Sequence, residues 1–171
     1  RNFSRFPLCP RLKYLSIAQN DIEGDISLFL KQLTQRNPFL EHLNLAHNKL
    51  TEIYVPPVKW LNLEDNHIKI VQSHHTLQVM QYLNLNDNDL TSFSAIPSAP
   101  YMIEFHCKNN PIKTFQDLSL DKLMFLKKHF NFDELNSFNL NPEEFSFWKQ
   151  SLQLKDKEEI KLEISNFYQK S

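Results

Sequence analysis

One pattern recurs five times along the first two thirds of the chain, and nothing else in the sequence restricts the fold as much. The copies are Leu12–Leu15–Ile17–Asn20–Ile22, Leu40–Leu43–Leu45–Asn48–Leu50, Val58–Leu61–Leu63–Asn66–Ile68, Met80–Leu83–Leu85–Asn88–Leu90 and Met102–Phe105–Cys107–Asn110–Ile112. All keep the spacing L-x-x-L-x-L-x-x-N-x-L. Self-similarity at this period marks an architecture of stacked units, each too small to bury its apolar face except against its neighbours. The pattern assigns an α/β fold class: a solenoid with a parallel concave sheet, closed by a C-terminal helical segment. Residues 1–112 are read as an array of about five repeats, with an N-terminal cap or truncated repeat at 1–11. Residues 113–171 are read as a helical cap or small helical subdomain.

Within each unit, L-x-L is a short strand whose two apolar side chains point inward while the x between them points out. The marker asparagines are 28, 18, 22 and 22 residues apart, so the return segments differ. In the first, Ile26, Phe29, Leu30 and Leu33 form a helical stripe over residues 25–36, with Asp25 as N-cap and Asn37–Pro38 as the stop. The second, 51–57, is too short for a helix and runs extended into Pro56 and Pro57; residues 95–100 resemble it. An Asn at a tight bend bonds backbone groups that the bend leaves unpaired. Asn20, Asn48, Asn66, Asn88 and Asn110 are therefore expected to form a buried ladder.

After Ile112 the pattern changes. Leu118, Leu123, Leu126 and Phe130 predict a helix over about 116–130. Asn141, Pro142, Glu143 and Glu144 read as N-cap, N1 proline and dipole-matching acids, with Phe145, Trp148 and Leu152 as the apolar stripe. Asp156 caps a last helix carrying Ile160, Ile164 and Phe167. Such a segment covers an array end through Phe115, Leu118 and Leu120, and Phe145, Phe147 and Trp148 are candidates for a second interaction surface.

Composition excludes several chemistries. The net charge of −1 gives no general attraction to nucleic acid or anionic membrane, although a local basic patch is compatible with it. No run of apolar residues is long enough to span a bilayer. A single glycine, Gly24, rules out phosphate-cradling loops. The abundant Phe (14) is read as compositional drift. The two cysteines, Cys9 and Cys107, form no disulfide-cap cluster, which favours a reducing compartment. Asn2–Phe3–Ser4 is a formal glycosylation sequon. Of seven histidines, His74 and His75 are adjacent and diverge, His42 and His106 lie in strands repeats apart, and His47 and His67 are only loosely in register. His106 and Cys107 are strand neighbours facing opposite sides. No catalytic residue, cofactor or metal is expected.

Function then rests on the x positions, read as columns across the repeats. The x before the second L gives Tyr14, His42, Trp60, Tyr82 and Glu104. The x between the strand leucines gives Ser16, Asn44, Asn62, Asn84 and His106. The next two columns give Ala18, Ala46, Glu64, Asn86, Lys108 and then Gln19, His47, Asp65, Asp87, Asn109. An aromatic column beside an asparagine column suits protein docking, since Trp and Tyr dominate interface hot spots. Glu64, Asp65 and Asp87 add an acidic flank that favours a basic partner. The aromatics also have a plainer reading, as rings stacked along a sheet to shield it.

The five motifs identify residues 12–112 as similar to the leucine-rich-repeat superfamily. The unit ending at Leu50 resembles the ribonuclease-inhibitor type, and 48–63, with Pro56–Pro57, resembles the short repeats of bacterial effectors. The 22-residue units resemble those of phosphatase-regulating and splicing-associated proteins, and Asn110–Pro111–Ile112 resembles the usual end of an array. The resemblance implies a non-enzymatic, monomeric protein-binding scaffold that docks a partner on its concave face, cytoplasmic in its own or a host cell, in one version a secreted bacterial effector. Some such effectors carry a ubiquitin-ligase domain with a Cys-x-Asp nucleophile, but residues 113–171 contain no cysteine. The alternatives are a nuclear RNA-export or splicing adaptor, with direct nucleic-acid binding disfavoured by charge, and a regulatory subunit of a phosphatase or ubiquitin ligase.

Overall fold

The computed structural model describes residues 6–73, 76–94, 96–154 and 156–169. The five L-x-L segments are strands: β1 (Tyr14–Ser16), β3 (His42–Asn44), β5 (Trp60–Asn62), β7 (Tyr82–Asn84) and β8 (Glu104–His106). They form one parallel sheet in the order β1-β3-β5-β7-β8. The central residue of each strand points into the core, and Leu43, Leu61 and Leu83 have no exposed surface. The return segments supply what the repeat pattern does not announce, a second parallel sheet: β2 (Glu23–Asp25), β4 (Lys49–Tyr54) and β6 (Ile70–Gln72), in that order. Leu50, Ile53 and Val71 are its buried contributions. Gly24 adopts φ +75 beside the irregularity in the β2–β4 register. Nothing lies within 4 Å of a Cβ placed there, so the demand for glycine is conformational rather than steric.

Helix α1 (Ser27–Arg36) buries Phe29, Leu30 and Leu33, as its period predicts. Its start differs from expectation. Asp25 ends β2, and its Oδ1 accepts the Ser27 N–H at 2.8 Å, while the buried Ile26 occupies the N-cap without a side-chain bond. The carboxylate therefore stabilises the turn from one residue further out. At the other end Asn37 donates both its backbone N–H and its Nδ2 to the Leu33 carbonyl, each at 2.9 Å. Its Oδ1 accepts the Cys9 N–H at 2.9 Å, tying the N-terminal segment to the helix end. Residues 51–54 are extended within β4, as expected; 96–100 form neither helix nor strand. Ala95, the Asn2–Phe3–Ser4 sequon, His74 and His75 lie outside the described residues.

The asparagine ladder is present with one rung missing. Asn66 accepts the Leu50 N–H at 3.0 Å and donates to the carbonyls of Leu45 and Leu63, both at 3.1 Å. Asn48, Asn88 and Asn110 repeat this arrangement, and all four are buried. Asn20 is exposed and bonds only the carbonyls of Ile17 and Ala18 in its own unit. Among the described residues no earlier unit offers it a backbone N–H, and its side chain stays in solvent. Leu12, Leu15 and Ile17 are only partly buried for the same reason.

Beyond β8 come α2 (Leu120–His129), α3 (Phe132–Asn136), α4 (Pro142–Ser151) and α5 (Lys157–Gln169). Helix α2 starts later than the predicted 116, because the Ser119 hydroxyl accepts the Lys122 N–H and fixes the N-terminus there. Leu118 is buried ahead of the helix, whereas Leu120 is exposed rather than covering core. The short α3 escapes a periodicity reading, yet its capping box is visible in Asn131 and Glu134. Asn141 caps α4 and Asp156 caps α5 as expected. Trp148 is fully buried against Phe115 at 5.2 Å, so it offers no second surface. Phe145, Phe147 and Leu152 are partly buried against the core. The abundance of Phe acquires a structural seat: Phe93, Phe105, Phe115, Phe130 and Phe138 interlock in one cluster with largely edge-on contacts.

Glu144 joins these helices to the last repeat. Its Oε1 accepts the Thr114 hydroxyl at 2.5 Å, and its Oε2 accepts the Phe115 N–H and the Tyr168 hydroxyl, both at 3.0 Å. Tyr168 in turn accepts the Trp148 indole N–H at 2.9 Å. Burial and the neighbouring carboxylate push the Tyr168 phenol far above its ordinary range. From sequence Glu144 reads as a dipole-matching acid; it is a buried clamp.

Candidate partner-binding face

Strand register decides which outward side chains become neighbours. Tyr14, His42, Trp60, Tyr82 and Glu104 are successive Cα partners across the five-stranded sheet. The four rings make a continuous file. Tyr14 stacks on His42 at 4.4 Å, His42 tilts against Trp60 at 6.0 Å, and Trp60 stacks nearly parallel on Tyr82 at 4.8 Å. Tyr82 then meets His106 at 5.4 Å. Tyr14, at the end of the file, is 67% exposed, while His42, Trp60 and Tyr82 are half-buried by one another. That burial raises the Tyr82 phenol above its ordinary value. Two shallow clefts open beside the rings, one of about 460 Å³ at Tyr14, His42 and Trp60, the other of about 320 Å³ at Trp60, Tyr82 and Glu104. Stacking accounts for part of the ring surface, and the remainder faces solvent.

The asparagine column does more for the backbone than its exposure in a strand suggests. Asn44, Asn62 and Asn84 each accept, through Oδ1, the N–H two residues on: Ala46, Glu64 and Asn86 respectively. These are turn-forming bonds, and they commit the oxygens. Asn84 is buried outright and donates its Nδ2 to Glu64 at 3.2 Å. It is therefore not the exposed donor its position implied. His106 bonds Glu104 at 3.3 Å.

The fourth column has a backbone reason that sequence reading missed. Gln19, His47, Asp65, Asp87 and Asn109 all adopt left-handed φ, between 52 and 57. Asp and Asn tolerate that region better than most residues. The recurrence of Asp and Asn immediately before the marker Asn was the available signal. The carboxylates also have local partners: Asp65 pairs with His47 Nδ1 at 2.8 Å, and Asp87 accepts from Asn109 Nδ2 at 2.7 Å. Both pairs are exposed, where such contacts add little to stability. A fifth column borders the rings on their other side: Lys13, Glu41, Lys59, Gln81 and Ile103. Lys59 binds Glu41 at 3.1 Å and, by that bond and its charge, holds the Glu41 carboxyl below its ordinary value. Ile103 is exposed. Extending the column reading by one position would have found this border.

His42 and His106 are separated by β5 and β7, and no group of three metal-ligating side chains occurs among the described residues. Cys107 is buried on the side of β8 opposite His106, where burial and the charge of Glu134 push its thiol well up. No described helix is long and apolar enough to cross a membrane. The face is thus a rigid aromatic stripe with a polar border on one side and an acidic, turn-forming border on the other.

A family model described as Leucine Rich repeat matches residues 36–52, which run from the end of α1 through β3 into β4. No curated protein and no solved structure matches the chain.

Proposed function

We propose that this chain is a leucine-rich-repeat interaction module, and that its partner docks on the outward face of the five-stranded sheet. Leucine-rich repeats are in general protein-binding units. The finer reading assigns the concave side of a solenoid as the docking face, with residues 113–171 as the cap that closes it. The in-register file of Tyr14, His42, Trp60 and Tyr82 supports it most. Rings stacked on one another lose little entropy when a partner covers them, so the file is pre-organised for binding. Glu64, Asp65 and Asp87 favour a partner that is basic where it docks. A nuclear adaptor contacting RNA through this face would set a polyphosphate against these carboxylates, which disfavours that version.

The test is quantitative affinity capture with wild type and Trp60→Ala/Tyr82→Ala. Removing two central rings is expected to lower recovery of the partner by at least ~30-fold, from about 2 kcal/mol or more of lost hot-spot energy. The circular dichroism spectrum stays unchanged, because neither ring enters the core. Undiminished recovery with a native spectrum would refute the assignment.

A further inference from the structure

We propose that a second site, remote in kind from the sheet face, binds an aliphatic carboxylate in the cleft between α2, α5 and the return segment that precedes β8. The cleft has a volume of about 760 Å³, within the roughly 300–1,000 Å³ of small-molecule sites. Its lining is apolar through Ile96, Met102, Met124 and Leu154, and cationic through Lys122 and Lys127. Both lysines are half-buried. Lys122 Nζ donates to the Ser94 carbonyl at 2.6 Å and Lys127 Nζ to the Leu154 carbonyl at 3.3 Å. Each ammonium has three donors, so each retains two for a ligand.

What these ammonium groups lack is a counter-charge. The one carboxylate lining the cleft, Asp121, is exposed and pairs with neither lysine, and no ion pair involves Lys122 or Lys127 among the described residues. Lys128 and Lys157 add further positive charge at the rim, and His129 lies beside them. A partly desolvated cation without a counter-charge costs stability that an anion in the same cleft recovers. Burial lowers the pKa of both Lys122 and Lys127, which is the same cost seen in titration. An inorganic anion satisfies the cations and leaves the apolar lining wet; a neutral hydrocarbon does the reverse. A carboxylate on an aliphatic chain satisfies both.

The experiment is titration calorimetry of the whole chain with decanoate, decan-1-ol and acetate, below the micellar range. Decanoate is expected to bind saturably at one site, with decanol at least ~10-fold weaker for want of the charge-assisted hydrogen bond and acetate at least ~10-fold weaker for want of the buried chain. Lys122→Met or Lys127→Met keeps the aliphatic stem and should lower decanoate affinity ~10-fold while leaving decanol unchanged. Lys149→Met, on an exposed turn of α4 away from the cleft, should change nothing. Equal binding of decanoate and decanol, or no saturable decanoate binding, overturns the proposal. So does unaltered decanoate affinity in both folded lysine variants. If either variant loses its native circular dichroism spectrum, the decanoate-to-decanol ratio of the wild type decides alone.

Discussion

Replacing Glu144 should damage this protein more than any other single charge change. The carboxylate is buried and accepts the Thr114 hydroxyl and the Phe115 N–H, which tie α4 to the segment after the last repeat, and the Tyr168 hydroxyl, which ties it to α5. In Glu144→Ala the Phe115 N–H, which is fully enclosed, is left unpaired at a cost of about 2 kcal/mol. The two hydroxyls are partly accessible and recover water, so each lost bond costs about 1 kcal/mol. The total is about 4 kcal/mol, a large share of the roughly 5–15 kcal/mol that hold a domain together. Glu144→Gln retains the shape and one acceptor oxygen, and should cost about 1–2 kcal/mol. Tyr168→Phe breaks the bonds to both Glu144 and Trp148 Nε1 and should fall in the same range. Because Glu144 and Tyr168 share a bond, the double variant should cost less than the sum of the singles, by about 1 kcal/mol. Urea unfolding followed by tryptophan fluorescence measures all four. A Glu144→Ala variant within about 1 kcal/mol of wild type would refute the clamp.

Two further predictions concern the ladder and pH. Asn66→Ala should destabilise by about 2 kcal/mol, because it orphans the buried Leu50 N–H, while the carbonyls of Leu45 and Leu63 keep their bonds from Asn48 and Asn88; Asn20→Ala, exposed and bonded only within its unit, should cost less than about 1 kcal/mol. Equal costs in urea unfolding would contradict the inter-repeat role. His129 has its pKa held below the ordinary 6.5, first by burial and then by Lys128 and His106. Below that pH the unfolded chain takes up a proton that the folded one resists, so the stabilisation is complete above about 6.5 and is lost as pH falls toward the folded value. Unfolding free energies measured from pH 7.5 to 5 should decline more steeply in wild type than in His129→Gln, and identical slopes would count against the assignment.

Legibility followed locality. The apolar positions, the outward columns and the caps at Asn141 and Asp156 were readable because each depends on residues a few positions apart. The second sheet was not, because its strands lie in return segments of unequal length, and only stacking brings Gly24, Leu50 and Ile70 into neighbouring strands. Asn84 looked like an exposed donor because strand alternation reports direction and not what lies above. Asp65 and Asp87 carried two messages, charge and a left-handed backbone, of which the column reading heard only the first. Glu144 sits where a helix start favours any acid, so its bonds to Thr114 and Phe115, some thirty residues earlier in the chain, were masked by a sufficient local explanation.

The most direct test of the docking face is site-specific photo-crosslinking in cells that express the protein. A benzophenone amino acid placed at Tyr14 or Tyr82 samples the outward face of the five-stranded sheet, and one placed at Ile70, also exposed, samples the second sheet. The account predicts the same discrete crosslinked partner from Tyr14 and Tyr82, and none from Ile70. A partner captured from Ile70 and absent from both tyrosine positions would contradict it.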